Sequence, residues 1–119
     1  MMWEVEVTDE FEEWWHSLDE FEQESVAASV RLLEQLGPGL GRPHADALKK
    51  SRHSNMKELR TQHGGRPIRT LFAFDPRRTG ILLIGGDKTG DKRFYERMIP
   101  LADRLMDEHL EELRREGLL

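Results

Sequence analysis

Pro67-Ile68-Arg69-Thr70-Leu71-Phe72-Ala73-Phe74, followed by the turn pair Asp75-Pro76 and the apolar run Ile81-Leu82-Leu83-Ile84, decides how this chain is built. Two runs rich in aliphatic and aromatic side chains, separated by turn chemistry, read as neighbouring antiparallel strands. Upstream, residues 56–62 make a third such run, joined to the first by His63-Gly64-Gly65, whose glycines suit a tight hairpin. Residues 56–62, 67–74 and 79–85 therefore form an antiparallel meander.

The flanks are helical. Trp3-Glu4-Val5-Glu6-Val7 alternates apolar with acidic residues, the period of a strand with one buried face. Asp9 with Glu12 makes a capping-box pattern ahead of Phe11, Trp14, Trp15 and Leu18 at helical spacing, and Asp19 with Glu22 repeats it ahead of Val26, Val30 and Leu33. The second helix stops at Gly37-Pro38, so the two form a helical hairpin. Residues 37–55, with three glycines, two prolines and a polar run, read as a long loop. A last helix starts at Asp91 and runs through Phe94, Tyr95 and Met98; Pro100, which has no amide to donate, kinks or restarts it. From about residue 100 an amphipathic tail follows through Leu101, Leu105, Leu110 and Leu113. The expected fold is a single α+β domain over residues 1–119, β-α-α-β-β-β-α, with the hairpin and the last helix on an antiparallel sheet.

Composition narrows the function. The 119 residues contain no cysteine, which excludes disulfides, thiolate zinc sites and a cysteine nucleophile. The longest apolar run is far short of the roughly 20 residues that cross a bilayer, and no basic segment opens the chain, so the expectation is a cytoplasmic protein with no membrane partner. The net charge of −5 conceals a segregation: residues 1–37 carry −10, residues 38–98 carry +8 and residues 99–119 carry −3. A basic centre gathered on one face would attract a polyanion in a salt-dependent way.

Two clusters in that centre carry chemistry. Arg60 and Arg69 lie in successive strands, where a guanidinium must reach solvent, a carboxylate or a ligand phosphate. A structural Arg–Glu pair would account for Arg60; Arg69, between Ile68 and Leu71, favours a functional role. The second cluster, Gly85-Gly86-Asp87-Lys88-Thr89-Gly90-Asp91-Lys92-Arg93-Phe94-Tyr95, lacks phosphate-loop spacing but places Lys88, Lys92, Arg93 and Tyr95 within two turns near a helix start. Fixed cations stabilise a phosphorane, and a tyrosine transfers protons or stacks on a base. The five histidines show no metal-ligand spacing, and the expectation is that no metal or other cofactor is used. His53 and His63 adjoin the basic strands, and Trp3, Trp14 and Trp15 read as core.

Met56-Lys57-Glu58-Leu59-Arg60, the strand from Pro67 to Phe74 and the run from Gly86 to Tyr95 together resemble the RelE/ParE toxin superfamily, in particular its HigB-like, phage-derived branch. The resemblance covers nearly the whole chain. It implies a toxin of a type II toxin–antitoxin module: a ribosome-dependent, metal-independent endoribonuclease in which the ribose 2′-hydroxyl of mRNA attacks the adjacent phosphate. The implied partners are the ribosome, mRNA and a helix-turn-helix, HigA-like antitoxin. Arg69 matches the strand arginine at the scissile phosphate and Tyr95 the tyrosine of the last helix. Lys88, Lys92 or Arg93 stands where a further basic catalytic residue belongs. Arg60 matches the second-strand arginine and, with Lys57, His53, His63, Lys49, Lys50 and Arg66, would meet RNA or ribosome. One difference stands out: where RelE-type nucleases have second-strand lysines, this chain has Met56 and Glu58, with Lys57 between them. Two other activities fit the same fold, gyrase inhibition by protein contact in the ParE manner and an inactive regulatory role.

Overall fold

The computed structural model describes residues 2–119. The chain runs β1 (Val5–Val7), α1 (Asp9–His16), α2 (Glu20–Leu36), a 3-10 turn (Gly37–Gly39), β2 (Ala45–Ala47), β3 (Lys57–His63), β4 (Arg66–Phe74), β5 (Gly80–Asp87) and α3 (Phe94–Arg115). The five strands form one sheet in the order β1-β5-β4-β3-β2. The meander from β3 to β5 is antiparallel, as its turn chemistry requires, whereas β1 lies parallel to β5.

The sheet divides the core in two. On one face the α1–α2 hairpin buries Phe11, Val26 and Leu33 against Leu59, Ile68, Phe72 and Leu82. On the other, α3 buries Met98, Ala102, Leu105 and Met106 against Met56, Leu71, Ala73, Ile81 and Leu83. Because β4 and β5 are covered on both sides, their sequences are nearly continuous apolar runs; alternation survives only where one face is wet. Opposite Leu71 and Phe72 the register slips, leaving Leu83 as an extra residue on β5. At the end of β5 two glycines admit aromatic rings from both sides. A Cβ on Gly85 would lie 2.3 Å from the Trp14 ring, and one on Gly86 would lie 2.9 Å from Phe94.

Several expectations need correction. The stretch read as a long loop contains β2, whose three residues pair with Lys57 to Leu59, so the element order gains a strand. The sheet is mixed because edge strand β1 is parallel to its neighbour, and its Val7 is 48% exposed where alternation predicts burial. Helix α1 is capped by Thr8, not Asp9: the Thr8 hydroxyl accepts from the Phe11 amide and donates to the Leu83 carbonyl. The Asp19–Glu22 capping box is present with both hydrogen bonds. Helix α3 begins at Phe94, because residues 88–93 are held in a turn by Asp91, and Pro100 lies inside one uninterrupted helix. The segment from residue 100 onward continues α3, with Ala102, Leu105, Met106 and Leu113 buried.

A buried carboxylate pins the far end of this helix. Asp75 accepts from the backbone amides of Arg77 and Thr79 in the β4–β5 turn, and its other oxygen takes the Arg77 guanidinium and the His109 ring at 2.9 Å. Burial alone would push its pKa up, but the His109 and Arg77 hydrogen bonds outweigh burial and hold it below the usual carboxylate range.

Candidate functional site

Register places Arg60 directly opposite Arg69 across the β3–β4 ladder. Both project from the face that carries α3, but α3 packs over β4 and β5 and leaves the β3 side of that face open. Tyr95, in the first turn of α3, stands at the border. Between them lies Glu58, two residues before Arg60 and therefore on the same face.

Glu58 is the hub. It is 3% exposed, and its Oε1 accepts the Tyr95 hydroxyl at 2.6 Å. The same oxygen lies 3.5 Å from the Arg69 Nε, while Oε2 takes Arg60 at 3.2 Å. Arg60 also reaches Asp46 of β2 at 3.3 Å, and Arg42 meets the same Asp46 oxygen at 2.9 Å. A carboxylate this deep tolerates its charge only because cations and a phenol surround it. Burial and the Glu58 hydrogen bond raise the Tyr95 pKa, so the phenol keeps its proton at neutral pH.

Arg69 has donors to spare. Its side chain is 11% exposed, one terminal nitrogen donates to the Ile68 carbonyl, and its buried Nε makes no hydrogen bond among the described residues. A guanidinium has five N–H groups, of which a hydrogen bond to the Ile68 carbonyl takes one, while Glu58 faces the buried Nε. The Lys88 Nζ lies 5.4 Å from the centroid of the Tyr95 ring, bringing a third cation to the cluster.

Of the residues singled out in the sequence, the structure gathers Arg60, Arg69, Lys88 and Tyr95. Lys92 and Arg93 are exposed in the turn before α3 and touch none of these four through a hydrogen bond or ion pair among the described residues. Lys49 and Lys50 are exposed in the β2–β3 connection. Four others are engaged elsewhere. Lys57 points to the hairpin face and donates to the Pro38 carbonyl at 3.1 Å; His63 meets the Ser25 hydroxyl at 2.7 Å; Arg66 is held by Glu22 and Asp87. His53 is bound to Asp107 of α3 at 2.8 Å. The basic segment is thus spread over both faces of the sheet, since strand neighbours alternate sides. Glu58 and Asp46 were absent from the expected site. Strand parity signals Glu58, because residues 58 and 60 must share a face; Asp46 comes from a strand the sequence hides. Among the described residues no group of three or more His, Asp and Glu side chains is placed to hold a metal.

The model of the phage-derived protein Gp49-like family matches residues 13–107. A Mycobacterium tuberculosis protein named as the toxin HigB3 is 50% identical over 94 residues, covering 78% of this chain and 81% of that protein. A second from the same organism, named as the toxin HigB2, is 46% identical over 99 residues, covering 82% of this chain and 49% of that protein, so the chain spans about half its length. The solved structure of an E. coli RelE toxin mutant in the free state superposes with a TM-score of 0.57 at 9% identity, over 81% of this chain and 94% of that one, a likeness of fold alone. A family match over most of the chain and a half-identical relative leave one conclusion: this chain belongs to the phage-derived Gp49-like family, alongside proteins named as HigB toxins.

Proposed function

We propose that this toxin–antitoxin protein cleaves mRNA on the ribosome, by attack of a ribose 2′-hydroxyl on the adjacent phosphate and without a metal ion. One observation carries the reading: Arg69 and a proton-holding tyrosine share one buried carboxylate, with the tyrosine hydroxyl hydrogen-bonded to it. A scissile phosphate docks on Arg69, with Arg60 adding charge. As the 2′-oxygen bonds to phosphorus, its proton passes to the Tyr95 oxygen while the phenolic proton moves to Glu58. The bond to the 5′-oxygen breaks, and the Lys88 ammonium supplies the proton that the leaving oxygen takes. Arg60 and Arg69 offset the charge that builds on the phosphorane, the usual largest contribution in such a site. The products are a 2′,3′-cyclic phosphate and a 5′-hydroxyl, and solvent restores both protonation states. Lys49, Lys50, Lys92 and Arg93, exposed and without carboxylate partners among the described residues, are available for ribosomal RNA. The antitoxin is a helix-turn-helix, HigA-like protein, and the site of action is the cytoplasm.

The test is cleavage of mRNA on programmed ribosomes by the purified chain, with the fragment ends identified. Cyclic-phosphate and 5′-hydroxyl ends, persistence in EDTA at preserved ribosome integrity, and resistance of a message carrying one 2′-deoxy sugar at the cut are expected. A 5′-phosphate end, or cleavage of the deoxy message, overturns the mechanism. Undiminished growth arrest by both Arg69→Ala and Tyr95→Phe would move the activity to protein contact.

A further inference from the structure

Beside the Arg60–Arg69 pair a groove of about 540 Å³ follows the edge of β3 toward α2. Its existence comes from the shortness of β2. That strand pairs only with Lys57 to Leu59, and its last link to β3 is the Arg60 amide donating to the His44 carbonyl at 2.8 Å. Beyond this point the edge is uncovered. In an antiparallel ladder alternate residues turn their amide and carbonyl outward; Arg60 does so, and Gln62 therefore does too. Its opposite number, Pro67, has no amide to offer, which agrees with Gln62 facing away from β4. Gln62 thus presents a backbone donor, a backbone acceptor and an exposed side-chain amide along one short edge.

The other polar groups of the groove are already engaged or stand at its mouth. Ser29 and Thr61 share a hydrogen bond at 2.7 Å, and Ser25 is held by His63. The His44 ring is exposed, and neither it nor the Gln62 side chain makes a hydrogen bond among the described residues. Leu32 and Pro43 add apolar wall. A flat polar ring next to a phosphate-binding arginine pair needs this combination: an apolar surface to cover its face, and a donor and acceptor side by side for its edge. Single-stranded RNA is read in this way, through splayed bases hydrogen-bonded on their Watson–Crick edges.

We propose that this groove is a nucleobase subsite, in which Gln62 and His44 read the base of the nucleotide next to the phosphate held by Arg69. The proposal rests on the nuclease reading above for the position of that phosphate. It makes Gln62 and His44 determinants of which message is cut, while the reaction itself stays with Arg69, Tyr95 and Glu58.

Nuclear magnetic resonance of the full chain, titrated with non-cleavable 2′-deoxy trinucleotides that differ at one base, tests it. Amide shifts at Gln62 and Thr61 that depend on base identity are expected, with affinities across the four bases differing about tenfold, as a paired donor–acceptor contact provides. Gln62→Ala combined with His44→Ala should shrink that spread to about twofold while the shifts at Arg69 and Tyr95 persist. Gln62→Glu, which replaces a donor with an acceptor, should change the order of preference. Shifts at Arg69 with no base dependence, or a spread that survives the double substitution, overturn the subsite and leave the nuclease reading intact. Base-dependent shifts at Gln62 with none at Arg69 or Tyr95 overturn the placement of the phosphate instead. Shifts at none of these residues overturn the subsite, and the nuclease reading then rests on the programmed-ribosome assay.

Discussion

Arg66 and Arg69 stand three residues apart on one strand, and they differ in everything but composition. Arg66 turns to the hairpin side, where Glu22 and Asp87 hold it and 38% of its side chain is exposed. Arg69 turns to the α3 side, is almost buried, shares one carboxylate with Arg60 and Tyr95, and has a buried Nε that makes no hydrogen bond among the described residues. The same contrast separates Lys57 from Arg60. On the hairpin face the basic groups Arg66, His63 and Lys57 each found a local partner, and α1 and α2 closed over the rest. On the α3 face a single helix covers two strands of five, so the polar groups of β3 and β4 converge on one another. A cluster of mutually dependent charges beside a groove marks a candidate site, whereas isolated pairs are the pattern of a solvated surface.

The sharpest way to break this comparison is activity. Arg69→Ala should lower cleavage on the order of 10²–10³-fold, as the loss of one electrostatic contact to the transition state does, and Tyr95→Phe on the order of 10²–10⁴-fold, as the loss of a proton-transfer group does. Circular dichroism should show both proteins folded. Glu58→Gln should lower cleavage by about 10²-fold, as the loss of a proton acceptor does. Because it removes the one negative charge between the arginines, it should at the same time strengthen RNA binding at low salt. A fall in both rate and affinity would show Glu58 to be a scaffold alone.

Stability sharpens the comparison next. Asp75→Ala removes charged hydrogen bonds that tie α3 to the β4–β5 turn and should cost about 2–3 kcal/mol in urea unfolding. The Asp75 pKa is lowered in the fold, so its contribution is present above the usual carboxylate range and lost as pH falls through the lowered value. The variant should therefore show a shallower acid limb than the parent. On the hairpin side, Gly85→Ala drives a methyl into the Trp14 ring and should cost about 1–3 kcal/mol by overpacking. The smallest effect belongs to Arg66→Ala. An exposed ion pair adds little to stability, so the urea midpoint should barely move, and cleavage should stay within about threefold of the parent. A collapse of activity in that variant, measured in the same assay as Arg69→Ala, would erase the distinction between the two faces.

Much of the architecture was legible in the residues themselves. The runs at 67–74 and 79–85, the His-Gly-Gly turn, the Asp19–Glu22 box and Gly37 are local signals, and local backbone preference obeyed them. Where the reading missed, a distant contact had decided. Residues 45–47 became a strand because the edge of β3 was there to receive them, and Thr8 displaced Asp9 as a cap because the Leu83 carbonyl fixed its hydroxyl.

For the site the division is similar. Arg60, Arg69, Lys88 and Tyr95, which the structure gathers, stand out in the sequence by residue type and position. That Glu58 joins them depends on the pairing of β3 with β4 and on the angle at which α3 crosses, which bring residues 37 positions apart to 2.6 Å. The sequence alone determined the elements, the family resemblance and the stock of cations, because these follow from neighbours along the chain. Only the tertiary structure decided which cations face the open side and which are tied off, because that depends on strand register and on the reach of one helix across the sheet.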